Sequence, residues 1–175
     1  MSTDRRVRAA IGAAAFLVVA PGVVTGFVPW LITGWQPGST QPAVMLVAGA
    51  VLTGAGCLVL LQAFGRFVLE GAGTPAPAAP TERLVIGGLY RYVRNPMYLA
   101  LQAIIIGQVL LLDRPVLFYY TAVVLAMTVA FVRLYEEPTL ARRYGEEYAA
   151  YRQAVPGWLP RWPSRRGRPD GTHPG

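Results

Sequence analysis

The chain has 175 residues, 54% of them hydrophobic and only 14% charged, against roughly 25% charged in an ordinary soluble domain. Its 16 basic residues, every one an Arg, outnumber 9 acids and leave a net charge of +7. The single Cys excludes an internal disulfide framework and a cysteine metal cluster, and the single His, His173 in an Arg-, Pro- and Gly-rich tail, argues against a histidine zinc site or a Ser-His-Asp triad. No metal is expected. The charges are also segregated. Ala9 to Gly65 holds no Asp, Glu, Lys or Arg, and Asn95 to Val132 holds only Asp113 and Arg114. A bilayer core needs about 20 apolar residues per helical crossing, and each block is long enough for two. The expected fold is all-α: an integral membrane protein with about four transmembrane helices, a charged middle loop and a C-terminal amphipathic helix.

The first crossing is predicted over 9–32. Pro21 and Pro29 lie inside it and would bend it, which bilayer helices tolerate where neighbours satisfy the freed carbonyls. Trp30 and Trp35 fall where an interfacial aromatic belt would be. Gly34 to Pro42 is an uncharged turn. The second crossing is predicted over 43–64. It is rich in Ala and Gly, and Ala50 and Gly54, one turn apart, would allow close helix packing. Cys57 within it is expected only to pack. Residues 65–94 bring back charge, and their Pro/Ala-rich middle, GAGTPAPAAPTE, is an extended connector.

The third crossing, 95–112, opens on Asn95-Pro96. Asn is a good N-cap and Pro suits the first helical position. Asp113-Arg114-Pro115 is a tight turn into the fourth crossing, 116–134. Arg5, Arg6 and Arg8, the Arg-bearing middle loop and Arg133 lie on one side, and only Arg114 on the other. The positive-inside rule then puts both termini and the middle loop in the cytoplasm. A cleaved signal peptide is the competing reading of the N-terminus, but the apolar stretch is longer than the 7–15 residues of a signal core.

A further helix is predicted over 138–155, with Leu140, Tyr144, Tyr148, Tyr151 and Val155 on one face and Arg142, Arg143, Glu146, Glu147 and Arg152 elsewhere. It would lie on the membrane surface or cover the cytoplasmic ends of the bundle. Residues 1–162 make a single domain, and 163–175 should be disordered. The Arg run of the tail would attract anionic lipid or nucleic acid. Membrane lipid is the simpler partner for a chain already in the bilayer, and no nucleic acid is expected.

Two polar clusters flank the apolar blocks on the same side. One is Tyr90, Arg91, Tyr92, Arg94, Asn95 and Tyr98; the other is Glu136-Glu137. The third and fourth crossings, joined by a tight turn, must be antiparallel neighbours, so the start of one lies near the end of the other. A helix N-terminus with Arg beside it suits an anion. A carboxylate pair suits a cation or sugar hydroxyls, and Tyr rings can face a positive centre. A small ligand with a carboxylate, an ammonium and a second cation would match all three. The bland alternative is an Arg set by topology, a Tyr belt and solvated glutamates.

The stretch TERLVIGGLYRYVRNPMYLA, followed about 40 residues later by EEPTLARRYGEEYAAYRQAVPGWLP, resembles the isoprenylcysteine carboxyl methyltransferase family. These are small membrane enzymes that use S-adenosylmethionine, within a wider group of phospholipid and thiol methyltransferases. The resemblance covers residues 82–160. It places a Gly-x-Tyr-x-x-x-Arg-His-Pro-x-Tyr motif on Gly88, Tyr90, Arg94, Asn95, Pro96 and Tyr98. It places an upstream cofactor-contacting stretch on Glu82, Arg83, Leu84 and Val85, and an acidic pair on Glu136 and Glu137. Asn95 stands where those enzymes usually carry His, and Glu82 where they also carry His.

The resemblance implies cofactor binding by Glu82, Arg83, Leu84, Val85, Tyr90, Asn95, Pro96, Met97, Tyr98 and Glu136, and catalytic roles for Arg94, Asn95 and Glu137. The implied chemistry is direct methyl displacement onto a lipophilic or membrane-embedded acceptor entering from the bilayer. The cofactor carboxylate would sit towards Arg83, Arg94 or the helix start, with Glu136 on the ammonium or ribose. An acid or thiol acceptor needs no general base. An amine does, and only Glu137 or a Tyr offers one. An NADPH-dependent sterol or steroid reductase shares a related C-terminal pattern, and a non-catalytic scaffold or transporter is the third class. Oligomeric state is not legible.

Overall fold

The computed structural model describes residues 19–69 and 84–161. The start of the first expected crossing, Glu82 and Arg83, and the tail from 163 onward lie outside the described residues. Among the described residues the fold is entirely helical. In chain order come α1 (Val19–Thr33), α2 (Ala43–Leu69), a 3₁₀ turn (Gly88–Arg91), α3 (Pro96–Leu112), α4 (Pro115–Phe131) and α5 (Glu137–Ala154). Two helical runs, Ala43–Arg66 and Pro115–Ala154, are long and apolar enough to cross a membrane; Val19–Thr33 and Pro96–Leu112 are shorter and apolar. The two long runs leave most of their apolar surface open. Val44, Val47, Val51 and Leu58 on α2, and Phe118, Val123 and Met127 on α4, are all exposed. An apolar solvent suits such surfaces.

The tightest seam joins α2 to α3, antiparallel. A Cβ added to Gly49 would fall 2.8 Å from the Gly107 carbonyl oxygen, and one added to Gly56 would fall 2.9 Å from that of Ala100. Gly49, Gly56 and the buried Ala63 recur every seven residues along α2, so one stripe of small residues admits α3. This corrects the expected pair. Ala50 and Gly54 are exposed, and nothing lies near Gly54. Cys57, expected inside the packing, is exposed as well.

Two prolines follow a π-helical turn at the same offset: Val23–Phe27 before Pro29, and Val132–Glu136 before Pro138. Proline has no N–H and its ring crowds the carbonyl four residues back, and a wider turn relieves the crowding. Pro29 leaves the carbonyls of Val24 and Thr25 without its N–H. Tyr120 donates its hydroxyl to the first at 2.7 Å, and Gln108 donates Nε2 to the second at 2.6 Å. These bonds tie α1 to α4 and α3.

The α3–α4 turn is held by Asp113 in the left-handed region (φ 48°) and Pro115 at the helix start. The 34–42 loop binds the same turn. Gly38 N–H donates to Leu112 O at 2.7 Å, Arg114 Nε to Gln36 O at 2.9 Å, and the Ser39 hydroxyl to the Asp113 carboxylate. Both turns therefore share one end of the bundle.

The fourth crossing and the C-terminal helix, expected as separate pieces, form one run through the Val132–Glu136 π turn. Pro138 sits within the first two positions of α5, where a missing N–H is tolerated. The run breaks later, at Gly145, whose φ of 50° and ψ of −122° are non-helical. On α5, Tyr148 is buried and Leu140, Tyr144 and Tyr151 are half-buried, while Arg142, Arg143, Glu146, Glu147 and Arg152 are exposed.

Replacing Gln108 by Met or Tyr120 by Phe strands a carbonyl of α1. Each change should destabilise the detergent-solubilised protein by about 0.6–1.7 kcal/mol, read as a lowered midpoint of thermal unfolding, with the double variant close to additive.

Candidate functional site

The site forms where the start of α3 meets the α4–α5 junction. The Tyr98 hydroxyl donates to Glu136 Oε2 at 2.8 Å. One residue on, Glu137 Oε1 lies 2.9 Å from Arg94 Nη1, and its other oxygen lies 3.8 Å from Arg152. Arg94 Nη1 also donates to the Tyr148 hydroxyl at 3.0 Å. Adjacent residues on a helix point about 100° apart, so the two glutamates face different surroundings. Glu137 faces guanidinium groups. Glu136 faces Tyr98 and pairs with no cation among the described residues.

Glu136 lies past the apolar stretch of α4. Burial pushes its carboxyl above the ordinary range, the Tyr98 hydrogen bond draws it part of the way back, and the neighbouring Glu137 charge raises it again. Tyr90 is buried beside it. Desolvation first, then the Glu136 charge, holds the Tyr90 phenol far above its usual range, so it stays neutral. The result is a desolvated carboxylate flanked by phenols, an acceptor for an ammonium group or for ribose hydroxyls.

The segment after α5 closes the site from the other side. Arg94 N–H donates to Pro156 O at 2.9 Å and Arg161 N–H to Tyr92 O at 3.0 Å. Gly157 O accepts from both the backbone N–H of Asn95, at 3.2 Å, and its side-chain Nδ2, at 3.0 Å. Tyr151 donates its hydroxyl to Tyr90 O at 2.8 Å. The Trp158 ring stands 6.5 Å, centroid to centroid, from that of Tyr98. In the sequence, Pro156-Gly157 marks only the end of the 138–155 helix. What marked these residues was their place in the second motif, which ends PGWLP.

Asn95 precedes the helix as expected, but makes no side-chain cap. Its amide is spent on Gly157 instead, and Pro96 at the first position leaves one fewer N–H to cap. Asn95 and Pro96 are buried; Met97 is half-buried and packs against both apolar clusters, one of them Ala63, Val85 and Tyr90. Leu84 is half-buried. The structure thus brings Tyr90, Arg94, Asn95, Tyr98, Glu136 and Glu137 to one end of the bundle. The side chains of Arg94, Asn95 and Glu137 are engaged in tethering its segments, and Val85 and Met97 in packing.

Gly88 shows why the motif opens on glycine. Its φ is +58°, and a Cβ there would meet Arg66 Nε at 2.9 Å. An apolar groove of about 270 Å³, lined by Ala55, Val59, Leu89, Tyr92 and Leu99 among others, lies on the face of α3 turned away from Tyr98.

A family model described as phospholipid methyltransferase matches residues 43–147, more than half of the chain. A phosphatidylethanolamine N-methyltransferase from Phaeosphaeria nodorum (strain SN15) is 29% identical over 145 residues, covering 77% of this chain. The match spans only 15% of that relative's length. No solved structure matches. The similarity is to the phospholipid branch of the membrane methyltransferase group, and not specifically to the isoprenylcysteine enzymes that the motifs suggested.

Arg94→Ala should loosen α5 from the start of α3, because the lost guanidinium bonds Tyr148 and Glu137, and cost about 1.5–3 kcal/mol, the range for a hydrogen bond to a charged group. Glu137→Gln, which keeps an acceptor oxygen, should cost less. Thermal unfolding and limited proteolysis within α5 would measure both.

Proposed function

The chain belongs to the phospholipid methyltransferase family, and on that footing we propose that it is a multi-pass membrane enzyme that methylates the amine of a membrane lipid with S-adenosylmethionine. The observation that carries the reading is the contact between Tyr98 and Glu136. It joins the first turn of α3 to a half-buried, desolvated carboxylate that has no positive partner among the described residues. An amine acceptor replaces the acid or thiol that the scarcity of bases favoured, because the matched relative is named for an ethanolamine lipid.

The donor, when bound, supplies an electrophilic sulfonium methyl. Glu136 would hold the ammonium or ribose hydroxyls of that molecule, replacing solvent with one fixed charge. Tyr98 would orient the carboxylate, while the phenol faces of Tyr90 and Tyr98 and the Trp158 indole would suit a cation. The buried Arg94 Nε, without a hydrogen-bond partner, fits an acceptor oxygen at the same end. Leu84, Val85 and Met97 would shape the apolar wall, and Glu82 and Arg83 complete the proposed cofactor set. Arg94, Asn95 and Glu137 act as positioning residues. Asn95 and the Arg94 backbone hold the segment after α5 over the site, Arg94 and Glu137 join α5 to the α3 start, and together they would exclude water; alignment of two bound reactants is worth about 7–11 kcal/mol.

Both termini and the site are cytoplasmic in this reading, following the Arg distribution. The acceptor approaches from the bilayer, and its amine must arrive without its proton. Glu137 is neutralised by Arg94 and Arg152, so it serves poorly as a base.

Calorimetry of detergent-purified protein should show binding of S-adenosylmethionine and none of NADPH. Methyl-labelled cofactor with a total lipid extract should label an amine-bearing lipid. Binding of NADPH alone would replace the proposal with a reductase, and binding of neither by folded protein would leave a scaffold. Glu136→Ala should weaken the cofactor by about tenfold to a hundredfold.

The raised carboxyl of Glu136 gives a pH signature. A cationic ligand binds the ionised form, so binding releases a proton. Affinity should therefore fall as pH drops towards the carboxyl range, beginning above the pH at which an ordinary Glu protonates. The Glu136→Gln protein should be weak and lack this acid-side decline.

A further inference from the structure

Gln102 is left unexplained by the packing. It is 7% exposed, in the second turn of α3, and neither Nε2 nor Oε1 has a partner among the described residues. An unpaired amide removed from water is costly, more so where no water can reach it. Elsewhere the bundle answers such groups. Gln108 and Tyr120 reach the α1 carbonyls, and Thr33 and Thr121 bond to carbonyls four residues back. Thr53 Oγ and Gln108 Oε1 are also unpaired, but Thr53 is wedged against Gly107 in the α2–α3 seam, and Gln108 is bonded through its other atom. Gln102 has both atoms of its amide unmet.

Its register gives the amide a use. Gln102 lies four residues after Tyr98, so it shares that residue's face, about 6 Å farther along α3 from the Asn95 end. That face looks towards Glu136 through Tyr98. Resting on the lipid-amine reading above, we propose that Gln102 recognises the phosphodiester of the acceptor lipid, with Nε2 donating to a phosphate oxygen. A lipid in the cytoplasmic leaflet presents its amine outermost, its phosphodiester next, and its tails towards the bilayer centre. With the amine at the level of Tyr98 and Glu136, the phosphodiester falls one step deeper. In an ethanolamine headgroup two methylenes and an ester oxygen separate nitrogen from phosphorus, a span close to the helical pitch of about 5.4 Å. A neutral amide can make this contact without a second buried cation beside the amine that must react.

The test compares the full-length protein with Gln102→Leu and Gln102→Met in mixed micelles. Two acceptors are used: phosphatidylethanolamine, and a long-chain alkylamine that lacks the phosphodiester. Both variants should raise KM for the phospholipid tenfold or more. KM for the alkylamine and Kd for S-adenosylmethionine should stay within twofold. A short-chain phosphatidylcholine should compete with the phospholipid in the parent protein, and its inhibition constant should rise in parallel in the variants. An unchanged phospholipid KM with a raised thermal midpoint would overturn the proposal, leaving Gln102 an internal amide of no use to substrate. Equal losses on both acceptors would overturn it too. A parent protein that binds the cofactor but methylates neither amine would remove the reading beneath, and this inference with it.

Discussion

The site depends on one constraint: α3 and α4 must run antiparallel in a register that lets Tyr98 touch Glu136. The turn at Asp113–Pro115 fixes that register at the far end. Measured from this turn, Glu136 is about seven residues more distant than Tyr98, or about 10 Å of helix at 1.5 Å per residue. Side-chain direction closes the gap. Side chains on a helix lean towards its N-terminus. In an antiparallel pair the two leans converge, Tyr98 reaching out from the bundle and Glu136 reaching back into it. A tyrosine and a glutamate are long enough to meet, and their contact is 2.8 Å. Shorter side chains at these positions would leave the two helix ends apart.

A second constraint is the economy of carbonyls. A proline inside a helix frees acceptors that a bilayer core cannot hydrate. At Pro29 the chain answers with a π turn just upstream and with side-chain donors from two other helices. The same device at Pro138 has a different use. There the π turn sits at the edge of the apolar run and sets the facing of Glu136 and Glu137. A sequence feature that looks like a helix breaker therefore both fastens α1 into the bundle and aims the acidic pair.

Much of the architecture was legible because charge is so unevenly spread. The two charge-poor blocks, the Asn95-Pro96 start and the Asp113–Pro115 turn delimit the second, third and fourth expected helices within a few residues of those observed, while the start of the first lies outside the described residues. The face of α5 could also be read, since Tyr148 and Val155 fall on the buried side at the expected spacing. Other features needed three dimensions. Gly49 and Gly56 outrank Ala50 and Gly54 because the seam follows a seven-residue stripe set by α3, and periodicity within α2 alone could not choose among many small residues. Asn95 bonds to Gly157, sixty-two residues away, a partnership with no local signal. The continuous α4–α5 run was hidden because Pro138 mimics a break. The family was legible only coarsely: two motifs at the right spacing indicated the membrane methyltransferase group, and the branch within it came from similarity over the whole 43–147 span.

The acidic pair shows why neighbouring identical residues need not share a role. Glu136 and Glu137 differ by one position in sequence and by a quarter turn or so in direction. That rotation gives Glu137 an arginine at 2.9 Å and a second at 3.8 Å, while Glu136 receives a phenol and burial. A neutralised carboxylate contributes rigidity, because its charge is already answered. A carboxylate answered only by a neutral hydroxyl keeps a field that a cationic ligand can still satisfy. Exchanging the two environments would require moving Arg94 off the start of α3, and Arg94 is also what bonds the α3 start to Tyr148 and, through its backbone, to Pro156. The tether that closes the segment after α5 over the site and the rule deciding which glutamate stays available are thus the same residue.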